Sequence, residues 1–125
     1  MKKYIRATDI PDYLFRLPDQ FSISCGPDTW TCYVDSYIVL DDFDRGVGFG
    51  TVGTKVNYTL IIPVPDNDDM QDISRWVRYG LGQYLDSKLI DTDCTFDIQS
   101  INETYNYPQY GNHTKKYKVS LEIEG

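Results

Sequence analysis

Two adjoining runs, VNYTLIIP at residues 56–63 and DNDDMQDISRWVRYGLGQYLDSK at residues 66–88, decide the fold. In the first, Val56, Tyr58, Leu60 and Ile62 fall on one face and Asn57, Thr59 and Ile61 on the other. This period of two marks a strand with one buried side. Pro63 and Pro65 end it, because proline donates nothing to a ladder. In the second run Met70, Ile73, Trp76, Val77, Leu81, Tyr84 and Leu85 recur at helical spacing, which predicts one long helix with an apolar stripe toward a sheet. Asp66, Asp68, Asp69 and Asp72 crowd its start. Asp68 as cap with Gln71 reaching back makes a capping box, and the carboxylates complement the helix dipole.

The flanks read as further strands. TWTCYVDSYIVL, residues 29–40, is rich in β-branched and aromatic residues. After the helix, CTFDIQSI alternates Cys94, Phe96 and Ile98 with polar neighbours. KYKVSLEIE alternates most cleanly, with Tyr117, Val119, Leu121 and Ile123 inward and Lys116, Lys118, Ser120, Glu122 and Glu124 outward. Residues 1–28 hold Pro11, Pro18 and Pro27 and read as an arm, with a short helix possible over Thr8 to Arg16. The expected fold is α+β: an antiparallel or mixed sheet of about four or more strands with the long helix on one face, in the order β-β-α-β-β behind the arm. Gly80 and Gly82 inside the helix each cost roughly 1 kcal/mol against alanine, a cost that close approach of backbone to the sheet or to a neighbouring subunit would offset.

A chain of 125 residues, 41% hydrophobic, builds one domain around one core, with residues 29–125 as that core. Its net charge of −7 repels phosphates, and Lys115, Lys116 and Lys118 are the only local basic run, so specific nucleic-acid binding is not expected. Three cysteines, Cys25, Cys32 and Cys94, form no CxxC, and the sole histidine, His113, supplies no paired ligand; reduced core thiols are expected. The N-terminal residues lack a signal core, and no apolar run is long enough to span a membrane, so a soluble chain is expected and the sequons at Asn57, Asn102 and Asn112 are expected to be unmodified.

Motifs that carry chemistry fall short. GFGTVGTK, Gly48 to Lys55, resembles a phosphate-binding loop but sets Thr54 before Lys55 and is followed by a strand, without the helix N-terminus that holds phosphate. The aspartates at 66–72 miss the calcium-loop pattern, since Gln71 stands where glycine is needed. Asp41, Asp42 and Asp44 read as a solvated loop rather than a cation site. A Cys–His pair would need Cys94 or Cys25 with His113, and nothing in the sequence links them. No catalytic residue, cofactor or metal is expected. Two segments instead suit protein contacts. One is the glycine-rich connection with Asp41, Asp42, Asp44, Gly46, Gly48, Phe49, Gly50 and Gly53; the other is the loop with Tyr105, Tyr107 and Tyr110, since tyrosines give stiff contact area at low entropy cost.

YTLIIPVPDNDDMQDISRWV, FDIQSINETYNY and KYKVSLEIEG together resemble the tail terminator proteins of long-tailed bacteriophages. A strand ending in prolines, an acidic turn, a helix with a tryptophan in its second turn, a strand, a tyrosine loop and a final acidic strand carry the likeness. It covers a little over half of the chain, and the proline-broken residues 1–28 depart from the longer opening helix usual in that family. The resemblance implies a non-enzymatic virion protein, a tail terminator or neck subunit assembled in the host cytoplasm. It implies a homo-oligomeric ring, commonly a hexamer, whose partners are the tail tube and the neck or head-completion proteins, with DNA passing through the lumen and no membrane contact. The acidic charge and small size also fit a different reading, a phage-encoded inhibitor that presents carboxylates to a host nucleic-acid enzyme.

Overall fold

The computed structural model describes residues 4–7, 10, 14–42, 53–65, 72–105, 107–110 and 114–125. Six strands and one helix follow in the order β1 (Tyr4–Ala7), β2 (Gln20–Cys25), β3 (Asp28–Asp42), β4 (Gly53–Pro65), α1 (Ile73–Leu89), β5 (Thr95–Thr104) and β6 (Thr114–Glu124). The fold is α+β, with one antiparallel sheet in the order β1-β3-β4-β6-β5 and β2 also paired to β3. Tyr33 pairs with Gln20 on one side and Ile61 on the other, so β2 lies along the edge of β3 away from β4. β1 takes the same edge further on, opposite Val39 to Asp42.

Residues 20–25 therefore belong to the sheet rather than to an arm. QFSISC alternates Phe21, Ile23 and Cys25 inward with Gln20, Ser22 and Ser24 outward. It joins β3 through a two-residue turn, Gly26-Pro27, between the paired Cys25 and Asp28. Gly26 has φ of +72°, a left-handed value that glycine reaches without a Cβ clash, which suits the first position of a tight hairpin turn. Of the short helix expected over Thr8 to Arg16, Leu14 to Arg16 are not helical and most of the remainder lies outside the described residues.

β4 is central, and its even-numbered residues from Thr54 to Val64 are all buried on the helix-bearing face. Across the sheet Val56, Tyr58 and Leu60 pair with Ile123, Leu121 and Val119 on one side. Val39, Tyr37 and Val34 oppose the same residues on the other. The pairing parity changes at Asp35, where a bulge lies between Val34 and Ser36, and again at Gln99 between Ile98 and Ser100. Such bulges keep apolar residues facing inward along strands too long to hold one flat register.

The helix presents Ile73, Val77, Gly80, Leu81, Leu85 and Leu89 to the core. Its start differs from the sequence expectation: it begins at Ile73, with Asp72 at the N-cap in a left-handed conformation and no side-chain cap. The backbone carbonyl of Asp72 accepts the first helical bonds, from the amides of Arg75 and Trp76 at 3.0 and 3.1 Å. Asp66 to Gln71, and with them the capping box, lie outside the described residues. Where the helix does not reach, Leu14 and Leu17 are buried against the same face, and the Leu17 amide donates to the Tyr58 hydroxyl at 3.3 Å.

The two helix glycines do different things. A Cβ on Gly80 would come within 2.7 Å of both the Ser24 carbonyl oxygen and the Cys25 Sγ, so helix and β2 touch backbone to backbone there. A Cβ on Gly82 would meet nothing within 4 Å. Gly82→Ala should therefore raise stability by about 1 kcal/mol through helix propensity alone, whereas Gly80→Ala should lower it by roughly 1–3 kcal/mol through overpacking. Urea midpoints of the two variants, moving in opposite directions, are the check.

Candidate functional site

The sequence-chosen contact residues separate into three groups. Asp41 and Asp42 are the last residues of β3, and Gly53 and Thr54 are the first of β4, paired Asp41 to Thr54 and Asp42 to Gly53. They extend a ladder rather than a loop, because the antiparallel pairing satisfies their backbone groups right up to the connection. Asp44, Gly46, Gly48, Phe49 and Gly50 lie outside the described residues. Ten residues, 43 to 52, thus join the paired ends Asp42 and Gly53, where two suffice for an antiparallel hairpin.

The tyrosine segment is not uniformly open. Tyr110, in a short 3-10 turn over Pro108–Tyr110, sets its ring 5.0 Å from that of Tyr33, and its hydroxyl donates to Asp35 Oδ1 at 3.1 Å. Tyr107, with φ of +70°, lies 6.3 Å ring to ring from Tyr110. Both are packed on the face of the sheet away from the helix, where Tyr33 pairs with the fully buried Ile61. Burial first, and then the Asp35 carboxylate, push the Tyr110 hydroxyl above its ordinary value. Tyr105 alone of the three stands free of the sheet, 85% exposed, with its hydroxyl donating to Glu103 Oε1 at 3.1 Å. Lys116, expected outward, is buried on this same second face opposite Pro63 and Thr104. The remainder of that face is a polar network: Gln99 donates to Glu122 at 3.2 Å, Ser120 donates to Gln99 at 3.3 Å, and Lys55 lies 4.0 Å from Glu122.

All three cysteines are buried and none forms a disulfide. Burial chiefly, with the Asp28 carboxylate second, pushes the Cys25 thiol up to about 12, and burial beside Cys25 raises Cys32 as well. Thiols so held are inert as nucleophiles, since the thiolate is the reactive form. Cys94 lines two shallow grooves at the end of the helix, of about 460 and 430 Å³. His113 lies outside the described residues, so the Cys–His pairing is not placed. Among the described residues no group of three or more His, Cys, Asp and Glu side chains is arranged to hold a metal ion, and no helix is long and apolar enough to cross a membrane.

No family model, curated protein or solved structure matches the chain.

Sequence reasoning did not single out the sheet edges. β1 and β5 end the strand order, and among the described residues no strand pairs with the outer side of either. The β5 edge is irregular at Gln99, and Arg78 Nη1 donates to the Ile98 carbonyl at 3.2 Å, fixing the helix to the strand at that irregularity. Further exposed apolar surface is scattered over Tyr37, Ile38, Tyr79 and Ile90.

The different surroundings of the tyrosines are separable by substitution. Tyr110→Phe keeps the ring on Tyr33 and loses the bond to Asp35, which should cost roughly 0.5–1.5 kcal/mol, toward the low end because the site is half open. Tyr105→Ala should leave the thermal midpoint unchanged, and any effect should appear only in association.

Proposed function

We propose that the chain is a structural subunit of a tailed-phage virion, a tail terminator or neck protein that self-associates into a ring and meets the tail tube and head-completion proteins. The observation that carries the reading is the connection between β3 and β4. Their ladder runs to Asp42 and Gly53, and ten residues follow where two would close the hairpin. That segment, FDRGVGFGTV, holds three glycines, two phenylalanines and few groups to build a core of its own. A long, glycine-rich insertion between rigid strand ends is a typical place for binding function. The chain order from β4 to β6 agrees with the resemblance noted in the sequence, and the exposed Tyr105 adds a stiff aromatic contact at the opposite end of β6.

The subunit acts by shape and charge rather than by bond chemistry. A net charge of −7 disfavours DNA adhesion, which suits a lumen through which DNA must slide. Its ring partners are copies of itself and its axial partner is a tube protein.

Deleting Gly46 to Gly50 tests this. Closure entropy changes by only about 0.6 kcal/mol per doubling of loop length, so the deletion should fold with a nearly unchanged thermal midpoint. Sedimentation should then show lost binding to the tube partner or lost oligomers. A deletion variant that assembles normally on both counts overturns the reading.

A further inference from the structure

We propose that two copies of the chain pair through the outer face of α1, antiparallel about a two-fold axis, with Tyr79 of each copy seated over Gly82 of the other. This contact is separate from the oligomeric ring proposed above and does not rest on it. A ring needs a heterologous join, whereas a two-fold pair sets one patch against itself.

The starting point is a glycine that the single chain leaves unexplained. Gly80 is required by the approach of Ser24 and Cys25, but a Cβ on Gly82 would meet nothing within 4 Å. Glycine inside a helix is disfavoured against alanine, and close approach of another chain is a use that offsets this. Arg75, Tyr79, Gly82 and Asp86 follow one another at helical spacing and share a stripe turned away from the buried Val77, Leu81 and Leu85. Arg75, Tyr79 and Asp86 are exposed, and Gly82 is partly so. Tyr79 is 54% exposed, yet its ring meets that of Trp76 edge-on at 5.8 Å. Trp76 in turn lies against Gly26, where a Cβ would come within 3.0 Å of the indole. The tyrosine is thus a stiff projection one turn from a notch, so little side-chain freedom is lost when it docks.

The stripe is its own complement in charge as well as in shape. An antiparallel pair centred midway between Tyr79 and Gly82 sets each tyrosine against the other copy's glycine. Four residues further out, the same register sets Arg75 against Asp86, again twice. The other basic residues of α1 are engaged within the chain: Arg78 donates to the Ile98 carbonyl, and the Lys88 ammonium lies over the Tyr84 ring. A parallel pair in register would instead oppose Arg75 to Arg75 and Asp86 to Asp86, which like-charge repulsion disfavours. One helix face is a small contact, so the dimer is a reversible one.

Sedimentation equilibrium from micromolar to millimolar concentration at low salt should show dimer forming, and less of it at high salt. Arg75→Glu and Asp86→Arg should each weaken pairing roughly tenfold or more, because each makes both cross pairs repulsive. Either change suits the helix dipole, acidic near the N-terminus and basic near the C-terminus, so neither should lower the thermal midpoint. Mixing the two variants recreates both cross pairs and should give a heterodimer of about wild-type affinity. Gly82→Gln has room in the single chain and should abolish the dimer with the fold intact. A wild type that forms no dimer over this range, variants that pair like wild type, or a mixture that is not rescued would each overturn the proposal. None of these results bears on the contact through residues 43–52, which the loop deletion reads.

Discussion

One helix must cover a sheet five strands wide, and that constraint shapes the rest of the molecule. The 17 residues of α1 make a cylinder about 25 Å long and 10 Å across. Five strands at about 4.8 Å spacing exceed that width. The helix backbone comes closest to β2 and β5, on opposite sides of the sheet, so the sheet curves around the helix. Gly80 permits the tightest of these approaches, against Ser24 and Cys25, and Arg78 secures the other side at Ile98. The area beyond the helix is closed by Leu14 and Leu17, which is why the N-terminal segment is part of the core. With one face dry by these means, the opposite face carries the polar network and the packed tyrosines.

Elements whose burial is one-sided and regular were legible from sequence. The helix-facing residues of β4 and β6 and the core of the α1 stripe follow their periods, because a covered face writes itself into the alternation, while Ile61 and Lys116 are buried on the second face as well. β2 was hidden although QFSISC alternates well, since Pro18 and Pro27 bracket it and a six-residue strand needs its partner to be recognised. The bulges at Asp35 and Gln99 shift parity in ways that periodicity cannot represent. The aspartate run invites capping at Asp68, whereas the helix begins at Ile73 behind a left-handed Asp72 that makes no side-chain cap. Asp41, Asp42 and Gly53 look like loop residues and lie in strands, where the pairing of β3 with β4 overrides their weak strand preference. Composition marks Tyr105, Tyr107 and Tyr110 alike, yet only the register of β3 decides that Tyr110 finds Tyr33 and Asp35 while Tyr105 does not.

The functional reading follows from what the fold leaves unsatisfied. A chain whose thiols are buried and whose aromatic loop packs partly on itself has, among the described residues, no strand on the outer side of β1 or β5, and it carries a long insertion between β3 and β4. Open edges are usually blunted in monomeric proteins. Here the edge strand β5 carries the exposed charges Asp97 and Glu103, which blunt it.

Residue-resolved amide hydrogen exchange across a dilution series tests this account most directly, because it reads the proposed contact itself. The account predicts that amides of residues 43–52 and of Tyr105 gain protection as concentration rises, while those of the central β4 and β6 stay equally slow throughout. Amides there whose exchange is independent of concentration, in a range where sedimentation detects oligomers, would contradict it.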